Sequence, residues 1–191
     1  IDNGVVWLLQ AVGGECIEQK LRKQTFEMLG IEALSEKSSR LMKIEDFSAA
    51  RKIAGSDIMK DGREFGGGMN AGTMSIWTRD KYGAFADYLD QNSEALELIA
   101  AAVKRPQYYM PLVCDEEPQR IISASYGLEL RLLFAAKLVV ARAFLRMGQE
   151  NIEGAMEDLL TCHRLASLMS RGSPFDVTTA KGGMIDAFAY N

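Results

Sequence analysis

The sequence predicts an all-α protein in which antiparallel helical hairpins are stacked as a tetratricopeptide-like right-handed array. Two long segments with helical apolar periodicity, 126–147 and 152–171, are separated only by a turn at 148–151. The chain has four prolines and few β-branched runs, which favours helices over strands. We expect a single helical domain over residues 1–191. Its parts are an N-terminal hairpin (1–30), a loop-rich segment (31–77) and a helical-repeat part (78–191).

The N-terminal part is predicted to contain two helices that pair as a short hairpin. Asp2 caps the first helix, over residues 4–12, and the Gly13-Gly14 pair ends it. The second helix covers residues 15–29, with Gly30 as its C-terminal stop.

The middle of the chain is predicted to be mostly loop. A short helix is expected over residues 44–54. The segment 60–73 contains a run of three glycines, Gly66 to Gly68. A phosphate-binding loop would need a lysine and a serine or threonine after the last glycine, at the start of a helix. Met69 follows the run instead, so we expect a flexible surface loop.

Two shorter helices are predicted before the long hairpin, over residues 81–89 and 94–104. The stretch 105–112 that follows contains two prolines, which indicates an extended backbone. Tyr108 and Tyr109 in this stretch can anchor it across the helices. The acidic run 115–118 is typical of a solvated turn.

The first helix of the long hairpin, 126–147, is apolar around nearly its whole circumference, which indicates burial inside a protein. A membrane span is the competing interpretation, but a span needs about 20 residues with few or no charges. Charged residues interrupt this run, among them Glu129, Arg131, Lys137 and Arg142. Arg131, Arg142 and Arg146 share a narrow stripe, and we expect the helix to meet water there.

The second helix of the hairpin, 152–171, has one apolar face, with acidic residues early and basic residues late. Its apolar residues are Ile152, Ala155, Met156, Leu159, Cys162, Ala166 and Met169. The tetratricopeptide pattern corresponds here to Ala141, Phe144, Gly148, Ile152 and Ala155. The turn is slightly longer than that repeat allows, so an ordinary helical hairpin is the alternative interpretation. Residues 175–190 are predicted to begin a further unit.

Composition limits the partners and cofactors that the chain can be expected to bind. The formal net charge is −4, whereas nucleic acids and anionic membranes require a basic surface, so we expect neither as a partner. Cys16, Cys114 and Cys162 lie far apart, with no CxxC or Cys/His cluster. We therefore predict no metal site and no cofactor. Cys16 and Cys162 are expected to behave as small buried hydrophobes.

Three motifs resemble those of a protein group. Residues 2–11 are similar to the motif DNAA-x-x-L-x-x-A, with Gly4 and Val5 in place of the two alanines. Residues 142–165 match a hairpin motif, RA-x-L-R-x-G followed by A-x-x-DLL and RL. The third motif lies within residues 87–112 and has Tyr88 where tryptophan is usual. Its matching residues are Leu89, Asn92, Ala95, Leu96, Arg105, Pro106, Tyr108, Pro111 and Leu112.

On these motifs the chain resembles a group of uncharacterised helical proteins from planctomycete bacteria. The resemblance covers most of the chain but not the glycine-rich segment. It implies an all-helical, tetratricopeptide-like fold, and it transfers no catalytic residue because the group has no known activity. Many members look as if an export signal or anchor precedes the first helix, which favours an exported or membrane-anchored location over the cytoplasm. Because the chain starts at Ile1 and stops in mid-pattern at Asn191, we interpret it as a fragment of a longer protein.

Two classes of function are open at this point. An enzyme of hydrolase type would place its pocket between helices near His163, the only histidine. The adjacent Cys162 points about 100° away on the same helix, so a Cys–His pair within that helix is poor geometry. An orienting partner for His163 would have to come from another segment.

We favour the other class, a non-catalytic scaffold that binds a protein or peptide, because stacked hairpins create a concave surface. No catalytic residue is assigned, and no membrane insertion is expected. The predicted contact residues are Arg131, Arg142, Arg146, Tyr108 and Tyr109, since arginine and tyrosine are enriched at binding hot spots. The competing interpretation is that these arginines pair with Glu153, Glu157 or Asp158 and that the tyrosines only cover the core. A deep pocket with converging titratable groups would favour the enzyme, and a broad groove the scaffold.

Overall fold

A computed structural model describes residues 2–31, 40–55, 58–111, 113, 121–172 and 182–187. The regular structure of these residues is helical, apart from one isolated bridge between Asn3 and Gln107. The helices are α1 (Gly4–Val12), α2 (Gln19–Leu29), α3 (Ile44–Ile53), α4 (Ile58–Ala71), α5 (Gly83–Gln91), α6 (Ser93–Ala102), α7 (Ile121–Gly148), α8 (Ile152–Gly172) and α9 (182–187). The predicted all-α class is confirmed. Cys114, the acidic run 115–118 and most of the helix predicted over 175–190 lie outside the described residues.

Helices α7 and α8 form the antiparallel hairpin that the sequence predicts. Contacts between them run in opposite order along the two helices: the Arg146 side chain donates to the Gly154 carbonyl oxygen at 2.9 Å, and the Cys162 thiol donates to the Ala136 carbonyl oxygen at 3.6 Å. The turn lies where it was predicted, and the Asn151 side chain caps α8 by accepting the Gly154 N–H at 3.0 Å. Helix α7 begins at Ile121 rather than at residue 126, because neither proline nor glycine interrupts the intervening residues.

The N-terminal helices differ from the predicted hairpin. Helix α1 has the predicted bounds, but Asn3 rather than Asp2 caps it, accepting the Val5 N–H at 3.1 Å. The predicted second helix is divided into a 3₁₀ turn, Gly14–Cys16, and α2, which ends at Gly30 in the left-handed conformation. Helix α1 packs mainly against α6, not α2. Gly4 permits this approach, since an added Cβ would lie 2.8 Å from the Ala102 carbonyl oxygen.

The prediction of a flexible loop over residues 60–73 is wrong, because helix α4 runs through the glycine triplet. Close packing explains the difference. A Cβ added to Gly68 would lie 2.6 Å from the Phe85 Cβ, so glycine is what lets α4 approach α5. Phe65 on α4 meets Phe85 and Tyr88 edge-on, with ring centroids 5.4 and 5.1 Å apart. These aromatic contacts offset the low helix propensity of glycine, which costs about 1 kcal/mol per residue.

The buried side chains form one continuous hydrophobic cluster that extends from α1 to α9. Trp77 connects the turn between α4 and α5 to the long hairpin, because its indole N–H donates to the Ala141 carbonyl oxygen at 3.0 Å. From residue 127 onward, helix α7 is buried on most of its circumference, as predicted. In the part of the chain that the structure describes, no helix has the length and apolar character needed to cross a membrane.

Candidate functional site

The five predicted contact residues lie in three separate places. Arg131 lines an open cleft beside the first half of α7. Arg142 and Arg146 belong to an ion cluster near the other end of the same helix. Tyr108 and Tyr109 lie in the extended segment after α6, which runs beside the start of α1. The arginine stripe therefore does not act as one surface.

The ion cluster consists of Glu97, Arg142, Arg146 and Asp158, and Asp158 on α8 is its centre. The Arg142 guanidinium donates twice to Asp158, at 2.7 and 3.1 Å, and Arg146 approaches it at 2.9 Å. Arg142 also donates to Glu97 of α6 at 3.0 Å. The side chains of Asp158 and Arg142 are 3% and 9% exposed, so the expectation that the stripe meets water is wrong for Arg142.

This arrangement makes the ion cluster a structural connection between α6, α7 and α8. Burial raises the pKa of Asp158, while the hydrogen bonds and charges of the two guanidinium groups oppose that shift. The hydrogen-bonding positions of the carboxylate are occupied by the arginines, which leaves little for a ligand. The sequence left open whether Arg142 and Arg146 contact a partner or pair with acidic residues of the neighbouring helix. In the structure both arginines pair with Asp158.

The two tyrosines have different surroundings. The Tyr109 backbone exchanges two hydrogen bonds with the Asn3 side chain, at 2.8 and 3.0 Å, while its own side chain is 53% exposed. Tyr108 is half-buried against the core. Burial raises the pKa of the Tyr108 hydroxyl, and the nearby Glu129 and Cys16 add to that effect. Tyr108 thus covers the core, and only Tyr109 offers an aromatic ring to solvent.

The cleft has a volume of about 620 Å³ and lies between the 3₁₀ turn, residues 42–45 and helix α7. Its lining residues are Glu15, Cys16, Met42, Lys43, Ile44, Glu45, Gly127, Leu130, Arg131 and Phe134. Leu130 is 49% exposed, which is high for a leucine on a helix that is otherwise largely buried. Gly127 allows the Cys16 carbonyl to contact α7 at the edge of the cleft.

Hydrogen bonds from the α5–α6 corner fix the wall of the cleft at residues 42–45. The Asn92 side chain accepts the Met42 N–H at 2.7 Å and donates to the Tyr88 carbonyl oxygen at the same distance. The Tyr88 hydroxyl donates to the Met42 carbonyl oxygen at 2.7 Å. Both backbone groups of Met42 are therefore held by buried side chains, which makes this wall a preformed part of the site.

Among the described residues, the cleft carries two acidic and two basic side chains: Glu15, Lys43, Glu45 and Arg131. The Oε2 atom of Glu15 is buried and accepts a hydrogen bond from none of the described residues. Nearly all buried polar atoms in proteins have a partner, so this oxygen favours a ligand that brings a donor. Cys16 donates its thiol to the Gly13 carbonyl oxygen at 3.0 Å. Burial, together with the charge of Glu15, raises its pKa to about 12, which leaves very little of the thiol as the nucleophilic thiolate at neutral pH.

His163 lies elsewhere, on the outer side of α8. Its Nδ1 atom is 2.7 Å from the Asp186 Oδ1 atom, so α9 supplies the carboxylate partner that its own helix lacks. The neighbouring Cys162 is buried, and burial raises its pKa to about 12, so little of its thiol is in the nucleophilic thiolate form at neutral pH. His163 is not among the residues that line the cleft. Within the described residues, no three His, Cys, Asp or Glu side chains are grouped as a metal ion would require.

Most of the cleft was not predicted. Sequence reasoning selected Arg131 but not Glu15, residues 42–45, Leu130 or Phe134, which come from segments far apart in the chain. Asn92 gave a sequence signal for this region, because it belongs to the motif within residues 87–112. Its side chain is polar but buried, and it holds the wall of the cleft at Met42.

No protein-family model matches the chain, and neither the curated proteins nor the solved structures contain a significant match.

Proposed function

We propose that this protein is a non-catalytic helical scaffold that binds a short peptide segment of a partner protein in the cleft beside α7. The observation that carries the proposal is the composition of the cleft, an open apolar floor with charged side chains around it. Ligand sites generally have this composition, and about 300–1,000 Å³ is their usual size. A tetratricopeptide-like right-handed stacking of hairpins is part of the proposal, and the α7–α8 hairpin supports it.

The chemistry of the cleft suggests what the peptide would contain. Leu130, Phe134 and Ile44 favour an apolar side chain on the floor. Met42 adds a flexible thioether that adapts to different shapes. The Glu15 Oε2 atom favours a donor, either a basic side chain or a backbone N–H. We therefore expect a peptide that carries a basic residue close to an apolar one.

Selection from a displayed library of random linear peptides tests this function. We expect the selected peptides to bind at least about tenfold more weakly to the variants Leu130→Asp and Glu15→Lys, as measured by fluorescence anisotropy. The matched control is Glu153→Lys, which makes the same charge change at an exposed glutamate of α8 outside the cleft. Peptides that bind the cleft variants and the native protein equally well would contradict the proposal.

A hydrolase that uses His163 is the second candidate, and the His163–Asp186 pair is the observation that favours it. A carboxylate at Nδ1 orients an imidazole as a general base. Hydrolysis of activated esters that is lost in both His163→Ala and Asp186→Asn would support this function. Equal hydrolysis by the native protein and His163→Ala would count against it.

A further inference from the structure

The outer side of α8 carries an apolar row that the hairpin does not bury. Ile152, Met156 and Leu160 are spaced by four residues and therefore share one line along the helix. They are 57%, 50% and 45% exposed. The apolar side chains that α8 turns toward α7, such as Ala155 and Cys162, are fully buried. The apolar arc of α8 is therefore wider than the contact with α7 requires.

The same side of α8 is already a helix-packing surface in its C-terminal half. Gly182 at the start of α9 is so close to α8 that an added Cβ would contact Ser170 and lie 2.8 Å from the Ala166 carbonyl oxygen. Further along α9, Asp186 meets His163. The two helices therefore run antiparallel, and Ile185 is fully buried between them and the core. The row Ile152, Met156 and Leu160 continues this surface toward the N-terminus of α8.

Acidic side chains accompany the exposed row. Glu153 and Glu157 occupy the neighbouring line of the helix, one turn apart, and both are exposed. Neither carboxylate forms an ion pair with any residue in the described part of the chain. An apolar row with an unpaired acidic edge is complementary to a helix that has an apolar row and a basic edge.

We propose that this row is a docking surface for an amphipathic helix of a partner protein whose apolar side is flanked by lysine or arginine. Helix-in-groove recognition uses apolar anchors at this spacing. A second copy of the chain is a poorer occupant, because two such surfaces face to face would bring four glutamates together. The cleft contains no residue of α8, so this surface is additional to the site proposed above.

The test uses a displayed library of amphipathic helices about 14 residues long, which is four turns. The apolar row is kept constant, and the flanking positions are randomised between lysine and glutamate. We expect the native protein to enrich lysine at these positions, and the variant Glu153→Lys/Glu157→Lys to enrich glutamate. Selected lysine-rich peptides should bind at least about tenfold more weakly to Met156→Asp, by fluorescence anisotropy.

Met28→Asp is the matched control, because Met28 on α2 is also 50% exposed and lies outside α8. It should bind the selected peptides as the native protein does. The proposal is overturned if no peptide is enriched, if native and charge-reversed proteins enrich the same residues, or if Met156→Asp binds as well as Met28→Asp. Self-association in sedimentation equilibrium that Met156→Asp abolishes would also overturn it, since a second copy would then occupy the row.

Discussion

The glycines of α4 allow one chemical change to be tested at two neighbouring positions. A Cβ added to Gly66 has no atom within 4 Å, whereas a Cβ added to Gly68 lies 2.6 Å from both the Cβ and the Cδ1 of Phe85. These Phe85 atoms lie close to the backbone, so side-chain rotation does not relieve the clash. Neither glycine has a positive φ angle, so alanine fits the backbone at both positions.

The expected stability changes have opposite signs. Replacing a helical glycine by alanine stabilises by about 0.5–1 kcal/mol when nothing obstructs the methyl group, which is the situation of Gly66→Ala. At Gly68 the same gain is opposed by overpacking, which costs about 1–3 kcal/mol. We therefore expect Gly68→Ala to lose roughly 1 kcal/mol and at most about 2.5 kcal/mol, and the two variants differ by the overpacking cost alone, roughly 1–3 kcal/mol. For a chain of this length that corresponds to melting temperatures roughly 2–12 °C apart.

Circular dichroism during heating gives the melting temperatures of Gly66→Ala and Gly68→Ala. Urea titrations give their free energies of unfolding. Equal stabilisation of both variants would contradict this prediction, because α4 would then not pack on α5 through Gly68. Two neutral variants would also contradict it, because residues 58–71 would then not be helical in solution.

Two further predictions concern buried polar groups. Arg142→Met should lower the free energy of unfolding by about 3–5 kcal/mol, because it leaves Asp158 buried with only part of its charge compensated. The double variant Arg142→Met/Asp158→Leu should recover most of that loss in urea titrations, and a double variant no more stable than Arg142→Met would argue against a buried pair. In a Cys114→Ser background, Cys16 and Cys162 should react with iodoacetamide about a thousandfold more slowly at pH 8 than ordinary thiols, because pKa values of about 12 leave little thiolate. Mass spectrometry measures the rate of labelling, and protein unfolded in denaturant is the control. Rapid labelling of either cysteine in the folded protein would contradict the prediction.

The parts of the fold that could be predicted are those with local causes. The bounds of α1, the turn before α8 and the end of α2 at Gly30 follow from apolar periodicity and helix stops. Helix α4 could not be predicted in this way, because its glycines are unfavourable locally and are compensated by contacts with Phe85 and Tyr88. The pairing of α1 with α6 likewise depends on a backbone contact between Gly4 and Ala102, which are far apart in the chain.

The candidate site likewise depends on contacts between distant segments that the sequence does not reveal. The prediction relied on arginine and tyrosine because they are common at interfaces, but residue type does not show which charges are paired in the fold. Arg142 and Arg146 are occupied by Asp158, and only Arg131 remains at a cleft. Apolar periodicity also assigned Ile152 and Met156 to the buried face of α8. Periodicity reports how wide an apolar arc is, whereas the neighbouring helices decide how much of that arc they cover.

The two proposed surfaces are connected by the α7–α8 hairpin, and its construction indicates that they act independently. Coupling between binding sites requires an element with two arrangements that both ligands bias. Here the connecting part contains the doubly hydrogen-bonded Arg142–Asp158 pair and fully buried apolar side chains of α7 and α8, and both features oppose a rearrangement of the hairpin. We therefore expect Met156→Asp to leave the affinity of a cleft-binding peptide unchanged and Leu130→Asp to leave helix docking unchanged. A change of more than about threefold in either affinity would require a mobile hairpin, because an effect of that size corresponds to about 0.7 kcal/mol of coupling.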